Sequence, residues 1–156
     1  MTTKTNPRAS RAKALFFEGY NCSQAVAVAF SDLIGLDEKT AARLVSGFGG
    51  GMGRLREVCG SFSGVVFVLS ILYGYDEKRD NEGKKELYKI IQELSAEFER
   101  ANGSIVCREL LGLDIKGADS PVPEERTLEY YKKRPCPDII YSAAKILEDY
   151  INKRES

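Results

Sequence analysis

Apolar residues along this chain recur at intervals of three and four rather than two, and the runs break at glycine, proline, asparagine and aspartate. From Pro7 to Tyr20, Ala12, Ala14, Leu15 and Phe16 predict a first amphipathic helix, closed by Gly19 and Asn21 just before Cys22. A second helix follows at once, with Ala25, Val26, Val28, Ala29, Phe30, Leu33 and Ile34 at helical spacing and Gly35 as its stop. Asp37 then reads as the cap of a third helix running through Leu44 and Val45. Between Ser46 and Gly53 five of eight residues are glycine, which predicts a loop with no regular element. The 15 residues from Cys59 to Tyr73 are apolar on nearly every side, and their length and the small residues Gly60, Ser61, Ser63 and Gly64 predict a helix in close contact with its neighbours.

Asp76 to Gly83 is charged and turn-like, after which Leu87, Ile90, Ile91, Leu94 and Phe98 trace a helical stripe to Asn102 and Gly103. Ser104 is the expected cap of a short helix that carries Cys107 and stops at Gly112, and Asp119 to Glu125, with Pro121 and Pro123, predicts an irregular connection. The last helix opens at Cys136-Pro137-Asp138, with Cys136 expected at the cap and Pro137 as the first helical residue. No alternation is strong enough for a sheet and no internal repeat is visible. The expected fold is therefore all-α, a compact multi-helix bundle around a central apolar helix at about 59–75. The expectation is a single helical domain over 1–156, with a flexible tail at 1–6.

Composition narrows the function classes. With 43% apolar residues in 156, a core is available without covalent staples, so a shortage of core does not explain the cysteines. Lys plus Arg and Asp plus Glu both number 23, which gives no electrostatic case for nucleic acid or an anionic membrane as partner. The N-terminal stretch holds no apolar signal core, and the longest apolar segment falls short of the roughly 20 residues a bilayer-spanning helix needs. A cytoplasmic location is expected.

The candidate chemistry is sulfur. Cys22, Cys59, Cys107 and Cys136 each fall where a helix is predicted to begin, and the chain has no histidine. A helix start offers unpaired N–H groups and the positive end of the dipole, which favours thiolate over thiol and predicts a lowered cysteine pKa. Without histidine no Cys-His dyad can form, which leaves helix ends and cations as activators. Arg54 and Arg56 precede Cys59, Arg108 follows Cys107 and Arg134 precedes Cys136. Taken singly, each cysteine reads as a small buried apolar residue before a reactive one and each arginine as a solvated charge, and it is the group of four at helix starts that shifts the balance to shared chemistry. No two cysteines are spaced as Cys-x-x-Cys, so a shared site has to be assembled by tertiary folding. The glycine loop lacks the Gly-Lys-Ser/Thr ending of a phosphate loop, but its backbone at Gly49, Gly50 and Gly51, with Arg54, is a candidate cofactor- or anion-binding element.

Four segments carry a resemblance. Gly19-Tyr20-Asn21-Cys22-Ser23-Gln24, Phe48-Gly49-Gly50-Gly51-Met52-Gly53 with Cys59-Gly60-Ser61-Phe62-Ser63-Gly64, Cys107-Arg108-Glu109-Leu110-Leu111-Gly112, and Cys136 before the last helix resemble, in order, the redox-active proteins named after the pattern C…GCAxxG…C…C. Val58 stands where that pattern has glycine, and glycine follows Cys59. The resemblance implies a redox or metal-linked role. Two versions follow for a site built from Cys22, Cys59, Cys107 and Cys136. In one, Cys59 is the attacking thiolate, made accessible by the glycine loop and charged beside Arg54 and Arg56, and a second cysteine resolves the mixed disulfide. In the other, all four thiolates ligate a metal ion or iron-sulfur cluster. The expected partner is a redox protein or a small-molecule electron donor. The rival is a non-enzymatic helical module, such as a homo-oligomer, whose cysteines only fill its core.

Overall fold

A computed structural model describes residues 5–156, and of the tail expected at 1–6, residues 1–4 lie outside the described residues. Asn6 is buried and donates to Asp149 at 2.9 Å. Helix α1 (Pro7–Phe17) has proline in its first turn, where a missing N–H costs nothing. Its Arg8 and Ala9 amides donate to the buried carboxylate of Glu148, so the N-terminus of the first helix is capped by the last one, at 3.1 and 3.4 Å. Ala9, Ala12, Leu15 and Phe16 face inward, whereas Ala14 is exposed.

Helix α2 (Cys22–Ala29) begins with a reciprocal cap in which the Asn21 side chain accepts from the Gln24 amide and the Gln24 side chain accepts from the Asn21 amide. It ends at Ala29 instead of reaching Gly35. Arg8 takes the Ala29 carbonyl at 2.9 Å, and the Leu33 amide turns to Phe30 instead, so the ladder cannot propagate and residues 30–35 form turns. Helix α3 (Glu38–Leu44) is capped by Asp37, as expected.

After a tight turn at Ser46–Phe48 comes a one-turn element, α4 (Gly49–Met52), and then the apolar α5 (Gly60–Tyr73). Helix α6 (Asn81–Asn102) buries Leu87, Ile90, Leu94 and Phe98 and stops at Gly103 in the left-handed region. Helix α7 (Cys107–Leu110) has Val106 at its cap position. Ser104 is displaced from that role, its hydroxyl accepting from the Val106 amide at 3.0 Å. Helix α8 (Leu128–Lys133), capped by the Thr127 hydroxyl, lies where no helix was expected. Helix α9 (Cys136–Glu155) includes Cys136 and Pro137 as its first two residues, one position deeper than predicted, because Pro135 holds the cap position.

The described residues contain nine helices and no strand, the all-α architecture that the periodicity predicts. Helix α5 packs against α2, α6 and α9, while α1 packs on α2 and α9. The common core includes Val26, Phe30, Phe62, Leu69, Leu94, Phe98, Ile140 and Leu147, each worth roughly 1.5–3 kcal/mol on burial. Gly64 lets α5 approach α2, since a Cβ there would stand 3.0 Å from the Ser23 carbonyl oxygen. This arrangement turns the N-terminal ends of α2, α5, α7 and α9 toward one region of the molecule.

Candidate functional site

Cys22, Cys107 and Cys136 are the first residues of α2, α7 and α9, and Cys59 is the cap residue of α5. All four line one cavity of about 320 Å³. Two chain segments are laced together to build it. The Cys59 amide donates to the Ile105 carbonyl at 2.7 Å and the Cys107 amide to the Glu57 carbonyl at 2.6 Å, on either side of an antiparallel bridge between Val58 and Val106.

The glycine loop forms a third wall. Gly50, Gly51, Met52, Gly53 and Arg54 are consecutive residues with φ between 53° and 75°, and Arg56 follows at 60°. They form a left-handed turn that costs Met52, Arg54 and Arg56 roughly 1 kcal/mol each. Amides of Gly53, Arg56 and Glu57 close it by donating to the carbonyls of Gly47, Gly50 and Gly51 at 2.8, 3.2 and 2.9 Å. The turn places the Gly50 amide against the Cys22 sulfur and the buried Arg56 guanidinium 3.6 Å from the Cys107 sulfur. Arg56 also donates to Asp119 at 3.0 Å, as Arg54 does at 3.2 Å.

Burial decides the electrostatics. It pushes the Cys59 thiol up to about 12, with the neighbouring Cys22 adding to the rise, and hydrogen bonding to Ser61, whose Oγ lies 2.9 Å away, only partly opposes it. Cys136 is likewise pushed up to about 12, first by burial and then by Cys22 and Cys107, against the pull of Arg134 and Arg56. Burial raises Cys22 too, opposed mainly by the Gly50 amide. The lowered values expected from helix starts are thus overturned at these three positions, because desolvation of a charged sulfur outweighs the dipole. The access expected at Cys59 is overturned as well: it is 7% exposed, while Cys22 and Cys136 are half-buried. The expected cation is present but serves another sulfur, since Arg56 reaches Cys107.

A native value above the unfolded one means that the folded chain holds its proton more tightly. That contribution to stability is complete below about pH 9 and is lost as the pH rises toward 12. Cys59 alone is therefore expected to contribute an alkaline loss on the order of 4 kcal/mol in urea unfolding, so the loss seen in the wild type should be smaller in Cys59→Ala. Identical alkaline limbs for the two proteins would contradict the burial of a protonated Cys59.

Of the loop residues singled out in the sequence, Gly49, Gly50 and Arg54 line the cavity, while Gly51 is buried behind Cys107. Arg134 lines it also, paired with Glu124. Arg108 does not; it binds Glu57 and the carbonyls of Leu55, Arg56 and Ile115. Periodicity passed over Arg126, whose position on the cavity depends on how the 119–135 segment folds back over α1. Asp119, the shared counter-ion of Arg54 and Arg56, was legible only as a turn residue.

Among the described residues no three Cys, Asp or Glu side chains are placed to hold one metal ion, so the four-thiolate ligand set is not drawn together, and we derive no step through a metal or iron-sulfur cluster. None of the four cysteines is in a disulfide. No helix among the described residues is long and apolar enough to cross a membrane. A family model described as "Putative redox-active protein (C_GCAxxG_C_C)" matches residues 20–150. No curated protein and no solved structure matches the chain.

Proposed function

Because the chain belongs to the C_GCAxxG_C_C redox-active family, we propose that it carries a reversible dithiol–disulfide couple in this cavity, with Cys136 and Cys22 as the exchanging pair. The observation that carries the reading is the meeting of four sulfurs from distant segments on one cavity, with Cys22 in electrostatic contact with each of the other three. Cys22 and Cys136 are the half-buried members, and two arginines act on Cys136. Cys136 loses its proton to solvent and its thiolate attacks one sulfur of an incoming disulfide; that S–S bond breaks, and the departing thiolate takes up a proton. Cys22, deprotonated in turn, attacks the Cys136 sulfur, forms the Cys22–Cys136 bond and expels the second thiolate. Two protein thiols are oxidised by two electrons while the incoming disulfide becomes two thiols. Cys59 and Cys107 are more deeply buried and electrostatically coupled to the same Cys22, which supports a role for them as later recipients of the bond. In the reverse direction the Cys22–Cys136 disulfide is reduced by a redox protein or a small-molecule electron donor, which returns the chain to its dithiol form.

The test is equilibration of the reduced protein against graded mixtures of reduced and oxidised dithiothreitol, with thiol counting and peptide mapping. Two thiols per chain are expected to disappear reversibly, with Cys22 in the bridged peptide, and Cys22→Ser is expected to abolish the transition. Four thiols free at every ratio would end the proposal. Stoichiometric metal with thiolate-to-metal absorption in protein prepared without oxygen would replace it with ligation, and serine variants altered only in stability would favour a structural module.

A further inference from the structure

The same cavity is lined by four arginines, Arg54, Arg56, Arg126 and Arg134, and its lining contains one carboxylate, Glu124. Three of the guanidinium groups have a counter-ion, Asp119 for Arg54 and Arg56 and Glu124 for Arg134. Arg126 has none within ion-pair distance among the described residues. It is half-buried, and its Nη1 and Nη2 donate to the carbonyl oxygens of Phe16 and Tyr20 at 3.1 and 3.2 Å. Its guanidinium carbon lies 4.2 Å from the centre of the Phe16 ring and 5.3 Å from that of Tyr130. Carbonyls and ring faces hold the group in a fixed orientation but leave its charge unneutralised and donor capacity to spare.

A guanidinium partly withdrawn from water gains most from a planar anion, because carboxylate geometry matches its fork of donors. The remaining walls include Leu110, Leu111, Pro121 and Ile139, which suit a short carbon chain. The volume, about 320 Å³, lies at the small end for ligand cavities. Resting on the dithiol reading above, we infer that the cavity selects a low-molecular-mass thiol or disulfide bearing a carboxylate. Arg126 binds the carboxylate while the ligand's sulfur meets Cys136. The chemistry is the exchange already described, with the ligand's disulfide as oxidant and its two thiols as products.

Three disulfides of similar size and different charge test this: dithiodiglycolate with two carboxylates, neutral hydroxyethyl disulfide, and cationic cystamine. Each rate of reaction with the reduced protein is divided by the rate with free 2-mercaptoethanol, a thiol with no charged substituent, at high ionic strength, which removes intrinsic reactivity. Dithiodiglycolate is expected to lead hydroxyethyl disulfide by about tenfold, with cystamine slowest. Adipate, a dicarboxylate with no sulfur, is expected to slow the dithiodiglycolate reaction of the unaltered protein, and Arg126→Gln is expected to bring the normalised rates together. Equal normalised rates in the unaltered protein, with adipate without effect, would overturn the substrate class while the exchange itself stood. Failure of all three disulfides to modify Cys22 or Cys136 would overturn the exchange reading and this inference with it.

Discussion

Gly51→Ala is expected to destabilise the protein on the order of 3–5 kcal/mol, the largest loss from any single methyl group added near the cavity. Gly51 has φ of 70°, where an L side chain is strained even with space around it. Here there is no space: a Cβ would stand 2.6 Å from the Cys107 Cβ, 2.7 Å from the Glu57 nitrogen and 2.8 Å from the Arg56 Cα. Two of those atoms are backbone in the segment that pairs with residues 105–108, so relief requires moving the lacing between α5 and α7. Urea unfolding monitored by circular dichroism measures the effect. A loss below about 1 kcal/mol would mean that the left-handed turn relaxes freely, contrary to the close packing behind Cys107.

Gly60→Ala is expected to cost on the order of 2–3 kcal/mol and to displace the Cys22 sulfur from its neighbours. A Cβ at this position would overlap the Cys22 Sγ and stand 2.8 Å from the Phe48 carbonyl oxygen. The sulfur is able to rotate away but the carbonyl is main chain, so both the site and the loop are disturbed. A double-mutant cycle separates the two: in a Cys22→Ala background the sulfur overlap is gone, and the penalty of Gly60→Ala should shrink to that of the Phe48 contact. Equal penalties in the two backgrounds would show that the sulfur and Gly60 do not compete for space.

Much of this arrangement was legible along the chain because helix starts are written locally. The break at Gly19 and Asn21 marks the start at Cys22, Pro137 marks the one at Cys136, and the stripe from Leu87 to Phe98 needs only its own periodicity. The acidity of the thiols was misread because the dipole is a local property while burial is a tertiary one. Nothing in the neighbourhood of Cys59 in sequence reports that Ile105 and the α7 segment will close over it. The same reason hid the role of Arg56, which lies three residues from Cys59 in sequence but bonds to Cys107. Helix α8 did carry a signal: Thr127 followed by Leu128 and Glu129 is an N-terminal cap with an acidic first turn, overlooked beside the prolines of the preceding connection. The left-handed path from Gly50 to Arg54 had no such signal at Met52 and Arg54, whose conformations are imposed by the ladder around them.

Sulfurs kept protonated by their surroundings determine what must accompany each electron. In the proposed couple, every pair of electrons that leaves Cys22 and Cys136 takes two hydrogen ions with it, so the midpoint potential falls by about 59 mV per pH unit. Because burial raises both thiols of the pair, Cys136 to about 12 and Cys22 in the same direction, that slope extends further into the alkaline range than it does for an ordinary dithiol. A carrier built this way responds to ambient acidity as much as to the supply of reductant.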